Sequence, residues 1–446
     1  MTTLARKLGV RDYFSLAFGA MIGVGWLVLM DDWLGRGGSL GAALAFAIGG
    51  LLLIPVGLVY GKWVERLPDA SGEAAYTAQV FPPFVSYFTG WIMLLAYFIV
   101  CPWEAVAAGK LAAYLIPSLD TLEIYRVAGQ PIFLPRLLLG IGMTLFLCIL
   151  NYRGIRASAT FQKWITTAVL LLFAVVVFAS GWRGSPVNFH PAFAYAPLVS
   201  ILLTLQIVPY FLTGFESVPK AAEEASPGFR TGGFRAAILL ALLVGAAFYV
   251  LAVLSVAYVA PWQDLIGQRF ATAIAFERAW GTPLLARFIL GIAVLGLFQV
   301  FNGNFVASTR LFFAFGRSGT IPSKFGKVHP RFQTPNVAVL AITVGTLAGV
   351  MLGDALLVPV TEVGSMASAF GWTAACVSLL VIEKNSRTRF VAALGAIVAL
   401  TLMLMKILPV VPGHFSRSEW VVLAGWIFLG ATFWQRRAAS VTPVPR

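Results

Sequence analysis

Long apolar stretches separated by short charged clusters constrain this 446-residue chain more than any other feature of its sequence. An α-helix needs roughly 20 apolar residues to cross a bilayer. Twelve such runs are centred near Ile22, Gly50, Leu95, Thr144, Leu172, Pro209, Ala247, Leu297, Val344, Phe370, Leu400 and Ile427. Hydrophobic residues make up 59% of the chain and charged residues only 11%, whereas a soluble domain carries about 25% charged residues. The pattern predicts an all-α integral membrane protein with twelve transmembrane helices.

The net charge of +14 comes from basic residues that lie in short loops between the apolar runs. The chain has no basic soluble segment, so a nucleic-acid partner is not expected. About two thirds of the 32 Lys and Arg residues fall at the two termini and in alternate loops. Basic loops stay on the cytoplasmic side. The sequence therefore predicts a multi-pass protein of the cytoplasmic membrane with both termini in the cytoplasm.

Glycine interrupts the first apolar run at Gly19, Gly23 and Gly25. Each glycine weakens a helix by about 1 kcal/mol relative to alanine. In lipid, unpaired backbone groups are tolerated only around a protein-lined cavity, and amide groups at the start of a half-helix suit a carboxylate. The alternative is close helix packing through small residues.

The sixth run has a similar interruption, where Gly214 and Glu216 follow Pro209. Two glycine-broken helices in corresponding positions of a membrane protein indicate a transporter site near the middle of the bilayer. The pair of interruptions favours a binding site over packing alone.

Two acids lie inside apolar runs, Glu104 and Glu216. A charge at membrane depth costs at least about 2.5 kcal/mol, so each acid should face a cavity or a partner. We expect Glu104 to bind a substrate amine or a proton, or else to pair with a neighbouring hydroxyl or with Lys110. Glu216 is the first candidate for reversible protonation, and a structural bond to unwound backbone is its alternative.

Helix eight carries a polar stripe, Asn302, Asn304, Ser308 and Thr309. Its oxygens could coordinate a cation such as sodium, although hydrogen bonding between helices is the commoner use of such residues. The chain has three histidines and three cysteines without metal-ligand spacing. Neither a metal site, a cofactor nor an enzymatic reaction is therefore expected.

Five motifs resemble the amino acid–polyamine–organocation transporter superfamily, and within it the amino acid permeases. They lie at residues 19–25, 67–76, 151–158, 214–225 and 310–335. The resemblance covers nearly the whole chain. It implies the leucine-transporter fold in one transmembrane domain, residues 1–446. Two inverted five-helix repeats, about 12–182 and 197–384, would precede two further helices at about 388–436.

The resemblance also implies a substrate held between helices one and six. Backbone groups of Ile22, Gly23, Val24 and Gly25 would bind its carboxylate. The other wall would be formed by Tyr210, Phe211 and Gly214, with the amine on carbonyl oxygens near Thr213 and Gly214. Asn304 occupies a position where some exchangers have a gating aromatic, and the lysine that some proton-coupled members carry in helix five is replaced near Val169.

The function implied is a secondary active transporter that moves amino acids by alternating access. The proton is the expected coupling ion, bound by Glu216 or Glu104, and sodium is the alternative. A carrier of amines or polyamines, or an amino acid exchanger, remains open, since Glu104, Asp31 and Asp32 could contact ammonium groups. The sequence leaves the particular substrate and the oligomeric state open.

Overall fold

The computed structural model describes residues 4–353, 357–411 and 414–434, apart from the side chains of residues 357–361. Its α-helices are α1 (Val10–Met21), α2 (Gly25–Val28), α3 (Met30–Arg66), α4 (Glu73–Ala78), α5 (Pro83–Phe98), α6 (Val100–Leu115), α7 (Leu134–Arg153), α8 (Ile155–Arg183), α9 (Pro197–Leu205), α10 (Val208–Leu212), α11 (Ser217–Lys220), α12 (Gly232–Val259), α13 (Ala271–Trp280), α14 (Pro283–Ser318), α15 (Asn336–Val350), α16 (Leu357–Ile382), α17 (Ser386–Ile407) and α18 (Arg417–Phe433). Short 3₁₀ helices span Pro117–Leu119, Pro186–Phe189, Ala222–Glu224, Trp262–Leu265 and Ser323–Gly326. The antiparallel strands β1 (Glu123–Val127) and β2 (Gln130–Phe133) form a hairpin between α6 and α7.

Eight helical segments in the described part of the chain are long and apolar enough to cross a membrane. They are α3, α5 together with α6, α7, α8, α12, α14, residues Glu362–Ile382 of α16, and α17. The other predicted spans coincide with the broken segments α1–α2 and α9–α11 and with the shorter helices α15 and α18. The chain is therefore a multi-pass helical membrane protein, as predicted. The count of twelve spans and the leucine-transporter fold stay predictions.

The long helix α3 follows α2 almost directly and bends at Gly38. There φ is 69° and ψ is −170°, a conformation that side-chain-bearing residues rarely adopt. A Cβ on Gly38 would also lie 2.7 Å from the backbone nitrogen of Ala194. The bend separates a short segment after α2 from the long apolar part of α3.

A cluster of buried aromatic rings holds α10 against α3 and α12. The ring centroid of Phe211 on α10 lies 4.7 Å from that of Trp33, and the Phe46 and Tyr249 rings stack at 5.0 Å. Aromatic pairs at such distances contribute about 0.5–1.5 kcal/mol beyond the area that they bury. The cluster therefore holds α10 in place, and α10 carries part of the candidate site.

One end of the helix bundle is closed by residues 4–8, which we call the N-terminal strap. Leu8 forms a parallel β-bridge with Ala225, and its amide donates to the Glu224 carbonyl at 2.9 Å. The Glu224 carboxylate in turn pairs with Arg310 of α14 at 3.0 Å, and both side chains are fully buried. The N-terminal strap is thereby joined to α14 through the segment that follows α11.

An ion pair outside the membrane spans joins the end of α3 to the turn between α16 and α17. Arg66 Nη2 lies 2.5 Å from Glu383 Oε2. Burial of Glu383 would raise its carboxyl pKa, but hydrogen bonds from the backbone amides of Asn385 and Lys384 and the charge of Arg66 lower it below its usual 4.5. The negative charge of Glu383 therefore stabilises this turn.

Candidate functional site

The first predicted helix is broken where α1 ends and α2 begins. Ile22 is extended, with φ −98° and ψ 97°, and Val24 has φ −98° and ψ 2°. The Ile22 amide still donates to Phe18 at 2.9 Å, so the helix stops sharply after one last bond. Because α2 starts afresh at Gly25, the amides of Gly25 and Trp26 have no acceptor within the helix, whereas those of Leu27 and Val28 donate to Val24 O at 2.9 and 3.0 Å.

Side chains of other helices satisfy the carbonyl groups that this break frees. The pairs are Asn304 Nδ2 to Ala20 O at 3.1 Å, Tyr249 Oη to Met21 O at 2.7 Å, and Gln299 Nε2 to Ile22 O at 2.6 Å. A buried carbonyl left without a partner would cost about 1–3 kcal/mol. These hydrogen bonds stabilise the break. Two of the donors, Tyr249 and Gln299, were not identified from the sequence.

The second break separates α10 from α11. Thr213 is extended and Gly214 has φ 139°. The Gly214 amide donates to Glu216 Oε2 at 2.9 Å, so the acid caps the unwound turn. A Cβ on Gly214 would lie 2.8 Å from the Met21 nitrogen, which only glycine avoids. The two breaks are therefore in direct contact.

A narrow cavity lies between the two breaks, and helices α5, α6, α12, α14 and α16 complete its wall. The predicted site residues that line it are Gly23, Val24, Gly25, Glu104, Tyr210, Phe211, Thr213 and Asn304. Outside the lining are Ile22, whose carbonyl binds Gln299, and Gly214 and Glu216, which bind each other. The structure brings the predicted residues together, and their contact with a substrate stays a prediction.

Glu104 lies against the first break. Its side chain is only 3% exposed, and its Oε2 has no hydrogen-bond partner among the described residues. Its Oε1 is 2.9 Å from the position that a Cβ on Gly23 would take. A charged carboxylate so placed is costly unless a cation or a proton joins it. Either a cation or a proton would therefore compensate Glu104 in this cavity.

The amide of Asn304 is held in one orientation on the same cavity wall. Its Nδ2 donates to Ala20 O and, at 2.9 Å, to Val300 O. Both donor positions are used, which leaves Oδ1 buried without a partner among the described residues. Asn304 thus presents a free acceptor in the cavity wall.

A second buried charge cluster lies next to Glu216. Lys220 of α11 forms an ion pair with Glu73 of α4, and both side chains are fully buried. Tyr60 of α3 donates to Glu73 Oε1 at 2.7 Å. The sequence signal for this pair was weak: a lysine one helical turn after Glu216. The pair joins α4 to α11 just beyond the second break.

Two residues of the polar stripe on α14, Asn302 and Asn304, connect helices. Asn302 Nδ2 donates to Gln162 Oε1 at 2.7 Å, and Asn302 Oδ1 accepts from Asn151 Nδ2 at 2.9 Å. Gln162 fills the space that the missing side chain of Gly19 leaves. Gly19 therefore stays helical and allows close helix packing, which was the alternative interpretation of the glycines in the first apolar run. No group of three or more His, Cys, Asp or Glu that could hold a metal occurs among the described residues.

Interrupted helices that enclose a cavity within a multi-pass membrane protein are the arrangement of a transporter. The chain belongs to the amino acid permease family, whose model matches residues 8–433, and the resemblance seen in the sequence is confirmed. It is 26% identical to the methylthioribose transporter of Bacillus subtilis over 397 residues, which are 86% of this chain and 82% of that protein. It is also 26% identical to the branched-chain amino acid permease BcaP of Bacillus subtilis over 373 residues, 82% of this chain and 77% of the permease. Identity to the amino-acid permease RocE of Bacillus subtilis is 22% over 399 residues, 86% of this chain and 82% of RocE.

Proposed function

We propose that this protein is a secondary active transporter that moves amino acids across the cytoplasmic membrane, coupled to protons and operating by alternating access. The observation that carries the proposal is the cavity between the two broken helices, where backbone groups of both breaks meet. Discontinuous helices of this kind bind the charged groups of a solute with backbone amides and carbonyls.

Each end of an amino acid has a complementary wall in this cavity. The carboxylate binds the backbone amides of Gly23 to Gly25, which precede or begin α2. The α-ammonium binds carbonyl oxygens near Thr213 and Gly214. The substrate side chain then lies among Phe211, Tyr210 and Asn304, a wall that is aromatic with one polar group.

Proton coupling is supported by two buried acids, Glu216 and Glu104. Glu216 Oε1 and Glu104 Oε2 both lack hydrogen-bond partners among the described residues. Holding a charge at this depth costs at least about 2.5 kcal/mol, which favours binding of a proton in part of the cycle. Glu104 lines the cavity itself and Glu216 caps the adjacent turn, so both can respond to a bound solute.

Alternating access requires the bundle to open at each end in turn. The N-terminal strap, the Glu224–Arg310 pair and the Glu73–Lys220 pair close one end in this structure. We assign that end to the cytoplasm on the positive-inside rule. The motion is that of two inverted repeats, about 12–182 and 197–384, with helices at about 388–436 outside the moving part.

The test is uptake by the purified protein in liposomes, with a panel of amino acids, their decarboxylated amines and methylthioribose, the solute that names one relative. Proton and sodium gradients are imposed separately. We expect amino acids to accumulate under an inward proton gradient and not under sodium alone. If no amino acid moves under any gradient, the proposal fails. Uptake of amines without their parent acids indicates the amine or polyamine carrier, and uptake only into preloaded liposomes indicates an exchanger.

A further inference from the structure

Glu104 is the only charged side chain in the described lining of the cavity. The titratable groups that face it are Cys101 on its own helix, Tyr210 on α10 and Tyr249 on α12. None of these side chains supplies a positive charge. The described lining residues of α2, α14 and α16 include no charged residue.

Two fully buried acids have a basic partner each, whereas Glu216, which is also fully buried, forms no ion pair among the described residues and accepts the Gly214 amide. Glu73 pairs with Lys220, and Glu224 pairs with Arg310, in each case with both side chains fully buried. Glu104 forms no ion pair among the described residues and is nevertheless 97% buried, since its exposed fraction is 3%. A buried charge requires compensation, so the positive charge at Glu104 has to come from what enters the cavity.

The polar atoms around Glu104 are suited to an ammonium group. Glu104 Oε2 and Asn304 Oδ1 are both buried acceptors without donors. A protonated carboxyl has one donor, whereas an ammonium has three donors and no acceptor. Trp103 and Tyr210 line the same cavity, and aromatic faces attract cations. An ammonium in the cavity therefore has enough donors for both acceptors.

We propose that, within the amino acid transport proposed above, each transport cycle carries one net positive charge, supplied either by a proton or by the substrate. A zwitterionic amino acid has no net charge and is carried with one proton bound to Glu104. A basic amino acid carries its own positive charge and is transported without a proton, its side-chain ammonium bound to Glu104 and Asn304. In the first case the proton joins a Glu104 oxygen on one side of the membrane and leaves it on the other, so charge and atoms balance.

The discriminating substrates are norleucine and lysine, which have the same chain length and differ by the terminal ammonium. Purified protein in liposomes is given each one under a potassium diffusion potential set with valinomycin, with a pH-sensitive dye trapped inside. We expect the potential to drive uptake of both. The interior should acidify by about one proton per norleucine and by none per lysine. Equal proton movement with the two substrates, norleucine uptake without protons, or no lysine uptake beside active norleucine uptake would overturn the inference. No uptake of either overturns the proposed function itself.

Four variants distinguish the role of Glu104 from the roles of other residues. Glu104→Gln should carry norleucine without a proton and raise KM for lysine about tenfold or more, the size of a lost charged hydrogen bond. Asn304→Leu should raise KM for lysine and keep one proton per norleucine, which tests the site even if the first variant does not fold. Glu216→Gln tests the other buried acid by the same proton measurement. If Glu216→Gln and not Glu104→Gln removes the proton flux, Glu104 is the wrong acid. Glu123→Gln, in the exposed hairpin, is the matched acid-to-amide control.

Discussion

The substitution Lys220→Met tests the energetics of the buried pair beside the second break. Lys220 and Glu73 are both fully buried, so the surface-pair value of at most about 1 kcal/mol does not apply. Removing one partner of a buried pair leaves the other charge uncompensated and costs about 3–5 kcal/mol. The double variant Lys220→Met/Glu73→Gln removes both charges and keeps an acceptor for the Tyr60 hydroxyl, so its loss should be much smaller.

The measurement is the thermal unfolding midpoint of the purified variants in detergent. A loss of this size should lower the Tm of Lys220→Met by roughly 3–5 °C, and most of that loss should return in the double variant. A double-mutant cycle with Glu73→Gln alone gives the coupling between the two side chains. If the double variant is as unstable as Lys220→Met, or if Lys220→Met unfolds at the wild-type temperature, the pair is not the buried, mutually compensating one described above.

Three further substitutions test other parts of the structure. Gly25→Ala places a methyl group on the ring of Phe211 in the cavity, and overpacking by about 1–3 kcal/mol should slow uptake about tenfold. The control is Gly291→Ala, whose added methyl group meets no atom within 4 Å and which should transport normally. Equal uptake rates in the two variants would contradict the proposed position of the site. Gln299→Leu leaves the carbonyl that it satisfies at the first break without a partner, so stability should fall by about 1–3 kcal/mol; an unchanged Tm would show that the break needs no such support. Glu383→Gln should lower the Tm above pH 4.5, and the difference in Tm from the wild type should vanish as the pH falls through the depressed pKa of the Glu383 carboxyl. A difference in Tm that does not change with pH would contradict a lowered pKa.

The sequence predicted where the helices break because glycine marks such places directly. The first break was expected over residues 19–25, and the backbone leaves helical geometry only at Ile22 to Val24. Gly19 stays helical because its missing side chain makes room for Gln162 from α8. A glycine pattern therefore predicts a weak point in a helix, while the packing of a neighbouring helix decides whether that point opens.

The supporting side chains could not be predicted because their partners lie far away in the chain. Gln299 is 277 positions from Ile22, and Tyr249 is 228 positions from Met21. In the sequence each is one polar residue in an apolar run, a pattern that fits a hydrogen bond with any neighbouring helix. Only the packing of α12 and α14 against α1 identifies the acceptor. The β-hairpin before α7 was also missed, since its strands are only five and four residues long.

The N-terminal strap has a practical consequence for labelling and purification. Leu4 and Leu8 are buried and residues 7 and 8 form backbone bonds to Glu224, so the first residues of the described chain belong to the folded body. A fusion partner attached ahead of Leu4 is therefore connected directly to the backbone segment that closes this end of the bundle. At the other end of the described chain, α18 is fastened to α5 by reciprocal indole-to-carbonyl bonds between Trp91 and Trp426 at 2.9 and 2.8 Å. A tag placed after α18 therefore leaves the backbone bonds of the N-terminal strap untouched.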